Sequence, residues 1–283
     1  MKLKIEITCP VCIESTVLFS FGNYRSGDLS TTIPIYYCKK CNTFIKIIDP
    51  DLISSYLKKS GYTDLNYEQE SYNHRIDFFN YIFNLTRKQN IATDSWLDYG
   101  CSFGHLVGFL KNMGIESYGI EISDEIRDYA LKRGIGIYKR LEELPIEMRF
   151  GVVSFIDSFY YSETPELLLK KVYNLLYDDG LLVLRMTNRN WLVKFDKYIR
   201  RRQICTALID HTIGYSKKSM FHLLRKNGFE ILETTFIERG KYRTGKDKLF
   251  YFIAVFINYI SLGLVNFLPG FVIIAQKNRH HTY

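Results

Sequence analysis

Proline is scarce in this chain, 6 of 283 residues, which leaves little room for low-complexity linkers. A shortage of apolar residues would signal disorder; here 47% of the chain is hydrophobic and 24% charged, so a disordered chain is excluded. The length suits one large packed domain with a small appendage. No internal repeat occurs at any period that solenoids or propellers use. The first thirty residues hold neither a long apolar run nor a small-residue cleavage site, because Lys2, Lys4 and Glu6 interrupt at once. No signal peptide is expected, and the chain is expected in the cytoplasm. Six cysteines in that compartment read as thiols or metal ligands rather than disulfides. Lys+Arg 38 against Asp+Glu 30 leaves +8, which suits an anionic membrane face or a polyanion. The basic residues are scattered and no base-reading motif accompanies them, which argues against a nucleic-acid partner.

Four of the cysteines form two pairs, Cys9-Pro10-Val11-Cys12 and Cys38-Lys39-Lys40-Cys41. A C-x-x-C turn folds two sulfurs toward one point, and two such turns supply four thiolates at about 2.3 Å from a tetrahedral zinc. The runs 17–21 and 33–37 between the pairs, and 43–48 after them, predict the strands of a zinc ribbon within residues 1–60. So short a segment cannot fold on apolar burial alone, and the metal would be its core. A closed site of Cys9, Cys12, Cys38 and Cys41 has no open coordination position and would be structural. Ile13 stands where such knuckles often carry glycine, and four incidental thiols are the alternative reading. A helix is predicted toward Lys59, and the spacing of Ile76, Phe79 and Phe83 predicts a connecting helix within 61–90.

The stretch Ser95-Trp96-Leu97-Asp98-Tyr99-Gly100-Cys101-Ser102-Phe103-Gly104 is a short apolar strand running into a glycine turn. A helix over 105–112 follows, stopped by Gly114, and then a second strand over 117–122 that carries Glu121 near its end. Strand, glycine turn, helix and acid-tipped strand form the first unit of a nucleotide-binding α/β sheet. The G-x-G-x-x-G dinucleotide fingerprint fails here, because Ser102 and His105 stand where its second and third glycines belong. A tight strand-to-helix connection with no ligand is the bland alternative. Asp98, Gly100, Ser102 and Gly104 instead satisfy D-x-G-x-[GS]-x-G, and the stretch resembles the first motif of class I S-adenosylmethionine-dependent methyltransferases.

The resemblance extends over residues 91–278. It takes in a helix from Ser123 to Arg133, a third strand at 136–138, an apolar fourth strand at 149–157, a helix over 165–176, a turn at Asp178-Asp179-Gly180 and a fifth strand at 181–188. A helix over 216–226 and strands at 228–233 and 271–277 complete the series. With the ribbon in front, the chain resembles zinc-ribbon-bearing methyltransferases associated with glycan and natural-product assembly. The resemblance implies a Rossmann-like α/β sheet with helices on both faces, S-adenosyl-L-methionine as cofactor, and a small-molecule or lipid-linked glycan-type acceptor. It also implies site residues: Gly100, Ser102 and Gly104 against the methionine portion, Glu121 on the ribose with Ile122 beside it, and Asp98 toward the amino group. Glu142 would lie at the adenine edge, and Asp157 with Ser158 would border cofactor and acceptor. Many relatives carry an acid and a histidine after the fourth strand, where this chain has Tyr160 and Tyr161; a histidine mechanism there does not carry over, and the two tyrosines are assigned to the acceptor pocket.

Methyl transfer from a sulfonium is an in-line displacement, so alignment does most of the work, and a base matters only for a hydroxyl or carbon-acid acceptor. His211, shortly before the helix-capping Ser216, is the candidate base, with a backbone-bonding structural role as the alternative. His105 reads as a cofactor-side helix residue, His222 as a surface one, and Cys101 and Cys205 as packing residues. Residues 249–268 carry no charge and match the length of a membrane span, but Pro269-Gly270 breaks the run and the following strand must rejoin the sheet. An interfacial helix on the inner face of the membrane is expected, approached by Arg239, Lys241, Arg243, Lys246 and Lys248; a buried helix or a homodimer contact is the alternative.

Overall fold

The computed structural model describes residues 4–13, 15–25, 32–47, 68–91, 93–199, 201, 208, 211–235, 245–261, 267–268 and 270–279. Twelve strands are described: β1 (Lys4–Thr8), β2 (Ser15–Arg25), β3 (Thr32–Cys38), β4 (Thr43–Lys46), β5 (Ser95–Tyr99), β6 (Glu116–Ile120), β7 (Ile137–Tyr138), β8 (Phe150–Ile156), β9 (Leu176–Thr187), β10 (Ile213–Gly214), β11 (Phe229–Thr235) and β12 (Gly270–Lys277). Seven α-helices accompany them: α1 (Glu68–Arg87), α2 (His105–Asn112), α3 (Asp124–Lys132), α4 (Pro165–Leu175), α5 (Asn190–Tyr198), α6 (Lys217–Lys226) and α7 (Gly245–Ile260).

The large sheet runs in the order β11-β12-β9-β8-β5-β6-β7. Strands β7, β6, β5, β8 and β9 pair in parallel, while β12 is antiparallel to both β9 and β11. Chain order departs in opposite directions from β5, toward β6 on one side and β8 on the other, so a crevice opens beyond their carboxyl ends. Both faces are covered, which is why the strands read as continuous apolar runs rather than as alternating ones. Leu181 and Val183 of β9 join one core with Phe79, Ile82 and Phe83 of α1 and Leu106, Phe109 and Leu110 of α2. Leu182, Leu184 and Met186 join the other, with Leu168, Leu169 and Val172 of α4 and Met220, Leu223 and Leu224 of α6. Helix α1 is therefore part of the sheet's cover, with more apolar burial than a connector between domains needs.

The smaller sheet has the order β1-β2-β3-β4-β10. Its first four strands come from the cysteine-bearing segment, where β2, β3 and β4 overlap the expected runs and β1 is an addition to them, and its fifth comes from much later in the chain: Ile213 pairs with Ile45 and Gly214 with Phe44. Val193 of α5 and Leu208 pack against Ile33, Ile35 and Phe44 of the same unit. The appendage is thus fastened to the large unit by backbone pairing and by apolar contact.

Several expected boundaries shift. Strand β6 ends at Ile120, one residue before the acid, because the Glu121 carboxylate is drawn into the loop by two backbone amides. The expected turn at 178–180 is an interruption within β9: Phe150 pairs with Leu176 and Val152 already with Leu181, so residues 177–180 bulge out of register. The apolar helix expected at 249–268 runs instead from Gly245 to Ile260. The helix expected toward Lys59, Arg239, Lys241 and Arg243 of the basic run, and Cys205 lie outside the described residues, whereas Lys246 and Lys248 of that run fall in the first turn of α7. Among the described residues no helix is long and apolar enough to cross a membrane.

Candidate functional site

The glycine turn lies at the mouth of the crevice and is built by its backbone. Gly100, Ser102 and Gly104 all take positive φ, at 74°, 52° and 72°. The amides of Gly100 and Cys101 both donate to the Ile120 carbonyl, at 2.8 and 3.0 Å, which ties the turn to the end of β6. A Cβ at Gly100 would stand 2.5 Å from the Ser158 Cβ, so only glycine lets the turn pass the β8 loop. Opposite the turn, Glu121 is 2% exposed; its Oε2 accepts from the Ser102 amide at 3.0 Å and its Oε1 from the Ser123 amide at 2.8 Å. Ile122 beside it is exposed.

Asp98 sits at the end of β5 with its Oδ1 accepting from Ser154 Oγ at 2.6 Å, and Ser154 in turn accepts from Trp96 Nε1 at 2.8 Å. Burial pushes the Asp98 carboxyl up to about 7, against the pull of the Ser154 hydrogen bond. Asp157, at φ 60°, pairs with the buried Arg185 guanidinium, and Ser158 Oγ donates to the Tyr99 carbonyl. Gly100 abuts Ser158, and Ser102 bonds Glu121, so the loops after β5, β6 and β8 meet at the carboxyl ends of these strands. Glu142 is exposed, and its Oε1 meets Lys171 Nζ at 2.5 Å, an ion pair that holds its carboxyl below the usual range.

His211 is 1% exposed. Its ring stacks on Tyr160 with centroids 3.7 Å apart and planes 13° apart, and its Nε2 shares a hydrogen bond with Thr187 Oγ1 at the end of β9. Tyr161 is partly buried beside Tyr160, with ring centroids 4.8 Å apart. An open general base would face the crevice; this histidine is enclosed by a ring and a hydroxyl. Ser216 caps α6 with a reciprocal capping box through Ser219, as the sequence suggests, and His222 lies exposed on that helix.

The four cysteines converge. Their sulfurs all lie within 4.8 Å of one another, with Cys9 to Cys41 at 3.6 Å and Cys12 to Cys38 at 3.8 Å. A tetrahedron with metal–sulfur bonds of about 2.3 Å has edges of about 3.8 Å, so the spacing fits a four-thiolate metal site. The Cys41 thiol lowers the Cys9 pKa to about 5, which readies one thiolate for a cation. Tyr215 is buried next to this cluster; burial first, and then the charges of Cys9 and Cys41, push its phenol well above the usual value.

Two features escape the sequence reading. Glu68, at the start of α1, accepts from His105 Nε2 at 2.8 Å and pairs with Arg133, and these partners hold its carboxyl low in spite of burial. Glu68 anchors His105 in this way, and burial lowers the pKa of the imidazole. No local motif marks the trio, since its members come from three helical segments. The second is an apolar cavity of about 550 Å³ between α5 and α7, lined by Trp191, Phe195, Tyr198, Ile253, Ala254 and Phe267 among others. Next in sequence to its Phe267, the Leu268 carbonyl accepts from Asn188 at 3.1 Å.

Residues 69–234, more than half of the chain, match the family described as Methyltransferase domain. No curated protein sequence matches the chain. Among solved structures, the chain is similar to the plantazolicin methyltransferase BamL, determined with a triazolic desmethylPZN analog and SAH: 19% identity, TM-score 0.54, covering 80% of this chain and 93% of that one. It is similar to a chain of the Haloferax volcanii complex between the Trm112 methyltransferase activator and a methyltransferase, at 15% identity and TM-score 0.54, covering 78% and 97%. It is also similar to an S-adenosylmethionine-dependent methyltransferase from Clostridium acetobutylicum ATCC 824, at 13% identity and TM-score 0.50, covering 81% and 98%. These likenesses speak for the fold, and the family match covers the glycine turn, Glu121 and the β8 and β9 ends. The chain belongs to the methyltransferase-domain family and is an S-adenosylmethionine-dependent methyltransferase.

Proposed function

We propose that this methyltransferase acts on a lipid-linked, glycan-type acceptor at the cytoplasmic face of a membrane, with a structural zinc in its cysteine cluster. The observation that carries the acceptor class is the apolar surface of α7, where Phe252 (67%), Phe256 (63%) and Tyr259 (78%) are exposed beside the α5–α7 cavity. Surfaces of that kind mark a partner or a membrane rather than bulk water.

S-adenosylmethionine, when bound, supplies an electrophilic methyl group for in-line displacement by the acceptor atom. Gly100, Ser102 and Gly104 would hold its methionine portion, Glu121 and Ile122 its nucleoside, and Asp98 its amino group. The left-handed turn and the paired amides on Glu121 support that assignment, because a Cβ at Gly100 would collide with Ser158. Asp157 and Ser158 border both ligands; Arg185 orients Asp157, and the Tyr99 carbonyl orients Ser158. His211 orients the Thr187 hydroxyl and the Tyr160 ring toward the acceptor, a role its burial favours over that of an open base. Cys9, Cys12, Cys38 and Cys41 would hold zinc, which supplies cohesion to the small sheet and no chemistry to the transfer.

Vesicle flotation with the full chain tests the acceptor class. Binding to liposomes supports it, and a detergent-free protein that stays off vesicles at low salt and elutes as a dimer would assign the α7 face to a second copy. Calorimetry with S-adenosylhomocysteine tests the cofactor assignment separately.

A further inference from the structure

Helix α1 needs no charge at its start to stay on the sheet, because Phe79, Ile82 and Phe83 farther along it supply the apolar burial. Glu68 nevertheless begins the helix, and it is buried. A buried ion pair adds little net stability over apolar residues of the same size, so stability alone does not account for a carboxylate there. Glu68 Oε1 accepts two hydrogen bonds, from His105 Nε2 at 2.8 Å and from Arg133 Nη1 at 2.5 Å. An ionised carboxylate has no hydrogen to give, so Nε2 of His105 carries the proton. Tyr72, one turn along α1, meets the same imidazole edge-on with ring centroids 5.4 Å apart, and Phe103 lies against it at 5.6 Å.

Both donors belong to segments that border Gly104. His105 is the next residue and the first of α2, a helix that starts without a side-chain cap. Arg133 closes α3, and just beyond it Ile135 presses on the turn: a Cβ at Gly104 would stand 2.9 Å from Ile135 Cγ2. Cys101 of the turn, Val107 of α2 and Ala130 of α3 share an apolar cluster against which Ile135 packs. Gly104 thus sits between the start of α2 and the return from α3, and one carboxylate ties the two together. The Arg133 guanidinium also lies over the Tyr129 ring, 5.5 Å from its centroid, and that ring meets Phe103 edge-on at 5.9 Å. Within the turn, Ser102 holds a left-handed backbone, a conformation that persists only where the surroundings impose it.

We infer that Glu68 is a positioning residue of the cofactor site: by holding His105 and Arg133 together, it sets the turn from Gly100 to Gly104 in its cofactor-ready form before the cofactor arrives. Glu68 acts through these two residues and touches neither cofactor nor acceptor. Preorganisation of this kind raises affinity by removing the cost of ordering a loop on binding. The inference rests on the assignment of the turn to the methionine portion of S-adenosylmethionine, made above, and adds to it a clamp from outside the glycine motif.

Calorimetry on the full chain with S-adenosylhomocysteine, well below the melting temperature of each variant, tests the clamp with Glu68→Leu, Arg133→Leu and the double change. Each single variant should bind about tenfold more weakly, and the double variant no more weakly than Glu68→Leu alone, because the clamp acts as a unit. A role confined to stability would lower the melting temperature and leave the affinity of the folded protein as it was. His105→Gln, which keeps an N–H donor near the Nε2 position, should bind nearly as tightly as wild type, whereas His105→Leu should weaken as Glu68→Leu does. That pair decides the matter if the Glu68 variants do not fold. Unchanged affinity in Glu68→Leu and His105→Leu, or losses that simply add in the double variant, would overturn the inference. Glu121→Ala separates the clamp from the assignment beneath it. If Glu121→Ala weakens binding and the clamp variants do not, the clamp alone falls; if none of them changes affinity, the assignment of the turn to the cofactor falls as well.

Discussion

At Glu121, one backbone amide donates to each carboxylate oxygen, which fixes how the carboxylate is held in the loop after β6. Replacing it with alanine removes up to two charge-assisted hydrogen bonds to the ribose and leaves the Ser102 and Ser123 amides without their acceptor. Calorimetry should show S-adenosylhomocysteine bound on the order of a hundredfold more weakly, and unchanged affinity would mean that the nucleoside lies elsewhere. Asp98 makes a pH prediction. Its folded pKa of about 7 lies above the unfolded value, so between pH about 4 and 7 the folded state keeps a proton that the unfolded chain has released. The stability carried by that proton falls as the pH rises through this window and is gone above it. An ammonium group beside the ionised carboxylate offsets the loss, so S-adenosylhomocysteine should raise the melting temperature more at pH 8 than at pH 6. Asp98→Asn should remove most of that difference; if the difference persists, another group sets it.

At the scale of elements, β4 and β10 decide how the cysteine unit is used. Two paired residues, the Lys46 contacts and the Val193–Leu208 packing hold it against the large unit. Elemental analysis of reduced, freshly purified protein should find one zinc per chain. Cys38→Ser should lose it and should also expose residues 211–216 to protease, because Thr212, Ile213 and Gly214 have their backbone partners in β4. A Cys38→Ser protein with intact zinc and an unchanged cleavage pattern would refute the assignment. The element-level reading of the sequence succeeds where periodicity is long and unbroken, as in α1, α2, β8 and β12. It misses where a partner distant in sequence sets the outcome: the early end of β6 answers to Ser102, and the bulge in β9 answers to β8.

At the scale of the whole molecule, α7 sets the expected location. Its exposed Phe252, Ile253, Phe256 and Tyr259 would bury in the acyl boundary, and the sequence places Arg239, Lys241, Arg243, Lys246 and Lys248 at the approach. Attraction to anionic lipid is worth about 1 kcal/mol per basic residue near the surface and is screened by salt, whereas apolar burial is not. Raised salt should weaken the preference for anionic vesicles without abolishing binding. Phe252→Glu with Phe256→Glu should abolish binding at any salt while leaving S-adenosylhomocysteine affinity intact; vesicle binding that survives the double change would place the contact on another surface.

The glycine turn and the acid that follows the next strand were readable from residues alone because their geometry is local. A strand, a turn that demands left-handed backbone at Gly100 and Gly104, and an acid after the next strand occupy one short stretch, and steric rules leave few ways to fold it. The two C-x-x-C pairs were readable for the same reason, since each turn brings its own sulfurs together. Tertiary structure decided what joins segments far apart: that α1 covers the sheet, that β10 closes the cysteine unit, that His211 is buried against Tyr160 and Thr187, and that Glu142 turns to Lys171. No sequence period encodes those contacts. Each depends on which faces remain apolar and which polar groups remain unpaired after the sheet has assembled, and burial then selects the partner.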